Sequence, residues 1–492
     1  MERKSFLIVL GICLAVWASL FLNGLLVDKA HPYHRWEARF PTLGTFSSPA
    51  AADLNGDGVL DIVVGAGGAP FAPSDSAVLA LDGADGRLLW HAGADAQLFG
   101  QPVFLDIDGD GSPDVLIGGR RAQLLALSGA SGEVLWRYRT QDTVVNPSGY
   151  ARFNFFGPRL VPDQNGDGLP DLLLANGGND LAADRSRRFR YPGVLILLDS
   201  RSGSVIAADT MPDGEETYLL PLVNDFDENG DPDIIFGTGG ETIGGALYST
   251  PLSALKNNDI SGARQLVVNP ESGFIAAPVL ADVNADGRED VLAAAFNGQV
   301  FALDGRSGET LWHASVDGAQ LYAPLVAGRF NEDATPDVFG IFTRPHWSKA
   351  PGQALQVLID GASGTVEIVD SIGCGGMHSA VAFDRNGDGR EEVLFSNQSY
   401  RLQQPDFLKT VHALRVLDFG QGRSREFYPM EYAKNLAATP WLGDLDGDGA
   451  LDIVFSRLAN TKELFDMKGL KLERLSTDVS MPVNGNRISG MK

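Results

Sequence analysis

The sequence predicts an all-β fold, a β-propeller of about eight four-stranded blades with calcium-binding loops, preceded by one N-terminal transmembrane helix. Three observations carry the ring. A nine-residue acidic pattern returns along most of the chain, and a glycine-rich hairpin ending in Trp returns in step with it. In addition, 58 Gly and 26 Pro punctuate short apolar runs. Such punctuation encodes short strands and tight turns rather than helices.

The pattern is Asp-x-Asn/Asp-x-Asp/Asn-Gly-x-x-Asp/Glu. Its first copies are Asp53, Asn55, Asp57, Gly58, Asp61 and Asp106, Asp108, Asp110, Gly111, Asp114. The third holds Asp163, Asn165, Asp167 and Asp171, the fourth Asp225, Asp227, Asn229 and Asp233, and the fifth Asp282, Asn284, Asp286 and Asp290. The seventh holds Asp384, Asn386, Asp388 and Glu392, and the eighth Asp444, Asp446, Asp448 and Asp452. The sixth has decayed, with Arg329 at its first position and Ala334 in place of the turn glycine. It is expected to hold no ion, its guanidinium standing where the metal sits elsewhere. Copies lie 47 to 62 residues apart, which suits one four-stranded blade each.

The rest of the blade follows from what flanks the loop. Before it comes a short apolar strand that usually opens with Pro, as at Pro102 and Pro278, where a missing N–H breaks no ladder. After it comes a second apolar run, such as Asp61–Gly65. The hairpins Ala80–Trp90, Ala126–Trp136 and Ala302–Trp312 then supply the third and fourth strands, turning on Asp-Gly and Ser-Gly.

A hard divalent cation takes six to eight oxygens at about 2.3–2.6 Å. Positions one, three, five and nine of a tight loop can converge on such an ion, position seven adds a carbonyl, and Gly at position six takes the turn. An EF-hand begins in the same way but needs Glu at position twelve. Here Val64 stands there, inside a β-type run, so that reading fails. Each intact loop gathers three or four carboxylates, which repel one another without a counter-ion. About seven calcium sites are therefore expected.

Together with Phe99-Gly100-Gln101-Pro102 and Phe156-Gly157-Pro158, these loops resemble the FG-GAP (integrin α-chain-like) propeller repeat family. The Leu-Asp-Gly-x-x-Gly-x-x-Leu-Trp hairpins resemble quinoprotein-type propeller repeats. The resemblance implies calcium-braced blades and a partner-binding face opposite the calcium loops; it does not specify an activity.

Composition limits the partners. A net charge of −24 argues against nucleic acid, whose phosphates would be repelled. The two cysteines, Cys13 and Cys374, offer no disulfide within the domain, and no Cys/His cluster has zinc spacing. Arg3 and Lys4 precede an apolar run from Phe6 to Val27, long enough to span a bilayer. Residues 1–30 are therefore expected to be an uncleaved membrane anchor, 31–476 the propeller outside the cytoplasm, and 477–492 a tail. If the N-terminus is instead cleaved, the propeller is secreted.

The long connections on the face opposite the acidic loops carry the candidate partner site: Arg152, Phe155, Arg185, Arg187, Arg188, Arg190, Tyr191, Arg344, His346 and Trp347. Arginine and aromatic side chains dominate binding hot spots. The expected function is non-enzymatic binding of a protein or glycan. The alternatives are a carbohydrate-active enzyme of the polysaccharide-lyase kind and an envelope-assembly or quinoprotein-like propeller. His91 and His313, each following a hairpin Trp, and Cys374 read as structural. Finally, Arg35–Phe40 stands in the register of an outer strand without a blade of its own. It is expected to close the eighth blade, with Leu470–Leu475 as its rival.

Overall fold

The computed structural model describes residues 31–139, 154–178, 190–344, 352–374, 376–403, 407–460 and 468–480. The expected membrane helix lies outside them. Among the described residues no helix is long and apolar enough to cross a membrane.

Eight antiparallel sheets follow one another. The first comprises Ala50–Ala52, Asp61–Gly65, Ser74–Leu81 and Leu88–Ala94, paired in that order from inner to outer strand. The next six repeat this plan with inner strands Val103–Leu105, Arg159–Val161, Leu222–Asn224, Val279–Ala281, Val326–Gly328 and Val381–Phe383. In the third blade Asn154–Phe155 also pairs with Asp171–Gly177, extending the inner edge.

Burial explains the sequence pattern. A second strand is covered on both faces by neighbouring blades, so it reads as an unbroken apolar run. Asp61–Gly65, Asp114–Gly118 and Asp290–Ala294 are buried at every position. Outer strands alternate instead: in Leu88–Ala94, Trp90, Ala92 and Ala94 are buried while Leu88 and His91 face solvent. The core is a ring of apolar clusters, each shared by two adjacent blades. The cluster of Trp36, Ile62, Leu79, Trp441 and Val454 joins the last blade to the first.

Each hairpin Trp fastens its blade to the next one. Trp90 Nε1 donates to Gly129 O at 2.7 Å, Trp136 to Ser200 O at 2.9 Å and Trp312 to Gly361 O at 2.6 Å. The ring then lies on a turn glycine. Gly86 has φ +76°, and a Cβ there would come within 2.6 Å of the Trp36 ring. Both its backbone angle and its neighbour therefore demand glycine.

The N-terminal strand His34–Phe40 closes the ring as the outer strand of the eighth blade, as the register of Trp36 predicts. Its supposed rival turns out to be its partner. Leu470–Ser480 is the third strand of that blade, between Ala450–Leu458 and His34–Phe40. Both segments pair without giving a fifth strand, because the C-terminal one fills a place that the blade would otherwise lack. The third strand also runs past the expected boundary at 476, to Ser480.

Candidate functional site

The acidic loops connect first to second strands, and the glycine turns connect third to fourth strands, so both lie at one end of the blades. Direct contacts show it. Gly83 N donates to Asp61 Oδ1 at 3.1 Å, Gly129 N to Asp114 Oδ1 at 3.0 Å and Gly305 N to Asp290 Oδ1 at 3.1 Å.

Within the first loop Asp53 accepts from Gly56 N and Gly58 N at 2.7 and 3.0 Å, and Asn55 Oδ1 accepts from Asp57 N at 2.9 Å. Asp57 Oδ1 accepts from Val59 N at 2.8 Å, and Asp61 Oδ2 from Leu54 N at 3.0 Å. Each acceptor folds its oxygen back over the loop, and the pattern recurs with Asp106, Asp163 and Asp384 at the first position. In the second loop, ligand oxygens of Asp106, Asp108 and Asp114 lie within 4.8 Å of one another.

The ninth position is buried in most copies: Asp61, Asp114, Asp171, Asp290 and Asp452 are at most 1 % exposed and Glu392 is 5 % exposed. Burial pushes the Asp61 carboxyl up to about 6 and raises those of Asp114, Asp171, Asp233, Asp290 and Glu392. The Ser200 backbone helps to hold Asp171 in the place that Gly83 and Gly129 take for Asp61 and Asp114. An all-oxygen set with buried carboxylates has the chemistry of a hard-cation site.

The decayed sixth loop differs from expectation. Arg329 is exposed, and its backbone exchanges hydrogen bonds with Glu391 of the seventh blade at 2.7 and 2.8 Å. Asp337 is held instead by Gly361 N and by Asn331, all at 3.1 Å, and burial pushes it up to about 6.

The opposite end of the blades carries the second-to-third connections and the links between blades. Of the predicted partner residues, Arg152, Arg185, Arg187, Arg188, His346 and Trp347 lie outside the described residues. Arg190 and Tyr191 are partly exposed, and Arg190 pairs with buried Glu216 and reaches Thr242 Oγ1 at 3.5 Å. Arg344 donates to Asp317 O. Phe155 is a correction: fully buried in the core between the second and third blades, it offers nothing to a partner. An aromatic in a long connection can turn inward as readily as outward, and this one packs against Tyr138.

A cation–aromatic run on this face was not among the predicted residues. Arg120 Cζ stands 5.0 Å from the Phe71 ring and 5.3 Å from the Phe99 ring. Phe99 meets Phe156 at 5.7 Å, and Phe156 meets Tyr218 at 6.0 Å. All five are partly exposed, and they come from connections of the first four blades. Their signal lay in the Phe-Gly pairs that mark the links between blades. His91 bonds Asp75 O at 2.9 Å, His313 stacks on Phe301 at 4.7 Å, and Cys374 is buried, so these three serve packing.

Fold and loops together define an eight-bladed β-propeller with acidic loops on one face. The FG-GAP repeat model matches residues 45–81, and the model of the outer membrane protein assembly factor BamB matches residues 74–183. The chain thus carries both FG-GAP and quinoprotein-like repeats. Among solved structures it is similar to the rhamnogalacturonan lyase YesW, at 15% identity and TM-score 0.52 over 93% of this chain and 76% of that one. A quinohemoprotein alcohol dehydrogenase from Pseudomonas putida HK5 is similar at 12% identity and TM-score 0.51, over 92% and 78%. BamB from Moraxella catarrhalis is 12% identical with TM-score 0.47, over 92% and 98%. At these identities the likeness is one of fold alone. No curated protein matches the chain.

Proposed function

We propose that this is a non-enzymatic, calcium-stabilised propeller. It works outside the cytoplasm, is tethered by its N-terminal segment, and binds a protein or glycan on the face opposite the acidic loops. The observation that carries the reading is the run Phe71–Arg120–Phe99–Phe156–Tyr218, a partly exposed ladder of rings and one guanidinium. Flat rings on a rigid scaffold bind sugar faces or apolar side chains at low entropic cost, and arginine adds directional hydrogen bonds. The platform is stiffened by backbone bridges such as Gly44 to Gly67 and Leu98 to Gly119. Calcium is supported by the oxygen-only loops, their buried ninth positions and the converging oxygens of Asp106, Asp108 and Asp114. The six loops with first positions from Asp53 to Asp384, leaving out the sixth, are those that would hold it.

The test is binding of the full chain to panels of acidic and neutral polysaccharides and to extracted envelope proteins. Phe99→Ala and Arg120→Ala should each weaken capture of a hit at least tenfold, while Arg201→Ala on the acidic face leaves it unchanged. Equal loss from all three variants would overturn the assignment of the face.

A second reading rests on Glu216. It is 1 % exposed, its carboxyl is pushed up by burial against the opposing Arg190 guanidinium, and Tyr218 lies beside it. A carboxyl raised by burial is what a general acid requires, and here burial outweighs the guanidinium, which pulls the other way. Turnover of any polysaccharide on the panel that disappears in Glu216→Gln would favour an enzyme over a binder.

A further inference from the structure

We propose that the acidic loop of the closing blade carries its own cation, the guanidinium of Arg474, so that the ring seam is fastened without calcium. This rests on the calcium reading of the other loops and marks one place where the residues do not fit that metal.

The argument starts from the register. In the three clear hairpins the residue paired with the latching Trp is small: Ala80 faces Trp90, Ala126 faces Trp136 and Ala302 faces Trp312. In the closing blade the residue paired with Trp36 is Arg474. That blade also lacks a hairpin, because its third and outer strands come from opposite ends of the chain. In the first, second, fifth and sixth blades the hairpin supplies a glycine amide to the ninth loop position, as Gly83 N does for Asp61. Here Arg474 supplies the bond. Its Nε donates to Asp452 Oδ1 at 3.2 Å and its Nη2 to Asp452 Oδ2 at 3.0 Å. Nη2 also contacts Asp446 Oδ2, and Nη1 donates to Gly83 O at 3.0 Å, the carbonyl that Trp36 Nε1 reaches at 2.8 Å.

The guanidinium therefore stands on the third and ninth positions of the loop and on the first blade at once. Its side chain is 3 % exposed, so it has no solvent to swing into. Other arginines near the loops differ. Arg201 beside Asp167 and Arg390 beside Asp388 are 51% and 40% exposed and are free to turn away. The loop itself keeps its usual bonds, Gly449 N on Asp444 Oδ2 at 3.0 Å, Ala450 N on Asp448 Oδ1 at 2.7 Å and Leu445 N on Asp452 Oδ2 at 2.9 Å, so the guanidinium is set into an otherwise ordinary loop. Ligand oxygens of Asp444, Asp446 and Asp448 do lie within 4.8 Å of one another, but an ion held by them and by Asp452 would have to share Asp446 and Asp452 with a fixed positive charge, and like charges at such range repel strongly.

Bound calcium per full chain, measured by elemental analysis after removal of free metal, decides the matter. Asp53→Asn in the first loop should lower the count by one. Asp448→Asn in the eighth, which does not touch Arg474, should leave it unchanged. A fall of one in both variants would show that the eighth loop holds metal and overturn the proposal. A wild-type chain with no bound calcium would instead remove the calcium reading. The seam is then judged by Arg474→Met, which should lower the melting temperature equally in calcium and in chelator. A lowering confined to calcium-loaded protein would overturn the proposal independently of the count.

Discussion

At the residue scale, legibility depended on whether chemistry or packing sets a position. The loop aspartates could be named because a side chain that must fold onto its own backbone leaves a fixed spacing. Phe155 could not be placed, since the same ring serves core or surface. Arg474 was invisible because its meaning comes from a strand register across the chain termini. The same holds for His378, which packs 2 % exposed at the end of the blades opposite the acidic loops, with Nε2 2.6 Å from Ser396 O. Burial pushes it down to about 4. Unfolded, it titrates near 6.5, so the folded protein prefers the neutral ring. Stability from this group is full above about 6.5 and is lost as pH falls toward 4, by about 3 kcal/mol in all. Asp337, pushed up to about 6, acts in the opposite sense and gains stability as pH falls through the same window. Urea midpoints at pH 7 and 4.5 should therefore drop less in His378→Gln, whose amide can still donate to Ser396 O, than in the wild type. An equal drop in both would show that His378 is not the acid-labile group.

At the scale of elements, loops and hairpins were both readable because each is a turn whose residues have no substitute. Less readable was the third-to-fourth connection of the fourth blade, where the glycine turn gives way to the short helix Leu252–Lys256. Its only signal was a pair of apolar residues three apart, Leu252 and Leu255, both buried. The loops bring the second prediction. An ion that binds only the folded chain stabilises it by RT ln(1+[L]/Kd), about 1.4 kcal/mol per loop at a tenfold excess over Kd. Six loops acting together make this a large part of a typical folding free energy. Chelator should lower the melting temperature of the full chain markedly, and added calcium should restore it. An unchanged melt, with no metal detected in the protein, would rule out calcium as the brace.

At the scale of the whole molecule, the blade count was legible from the period, whereas the closure was only half legible. The sequence placed Trp36 in an outer-strand register, but the C-terminal segment looked like a competitor because strand pairing across the termini has no local signature. Closure joins segments far apart in the chain through an antiparallel ladder of six paired positions. Trp36 is 6 % exposed and bonds Gly83 O, while Lys471 Nζ pairs with Glu37 at 2.8 Å. Removing residues 31–40 therefore deletes a whole outer strand and leaves Leu470–Ser480 as an open edge, a template for association with other chains. A chain starting at Pro41 should melt well below the full one and aggregate on heating. Trp36→Ala alone should cost about 3–5 kcal/mol, the usual loss for emptying a buried tryptophan site. A chain lacking only residues 1–30 keeps the closing strand and should melt like the full one. That comparison separates tethering from closure. If the chain starting at Pro41 melts with the other two, the C-terminal strand alone suffices as the edge of the eighth blade, and the N-terminal strand is an ornament on a ring already shut.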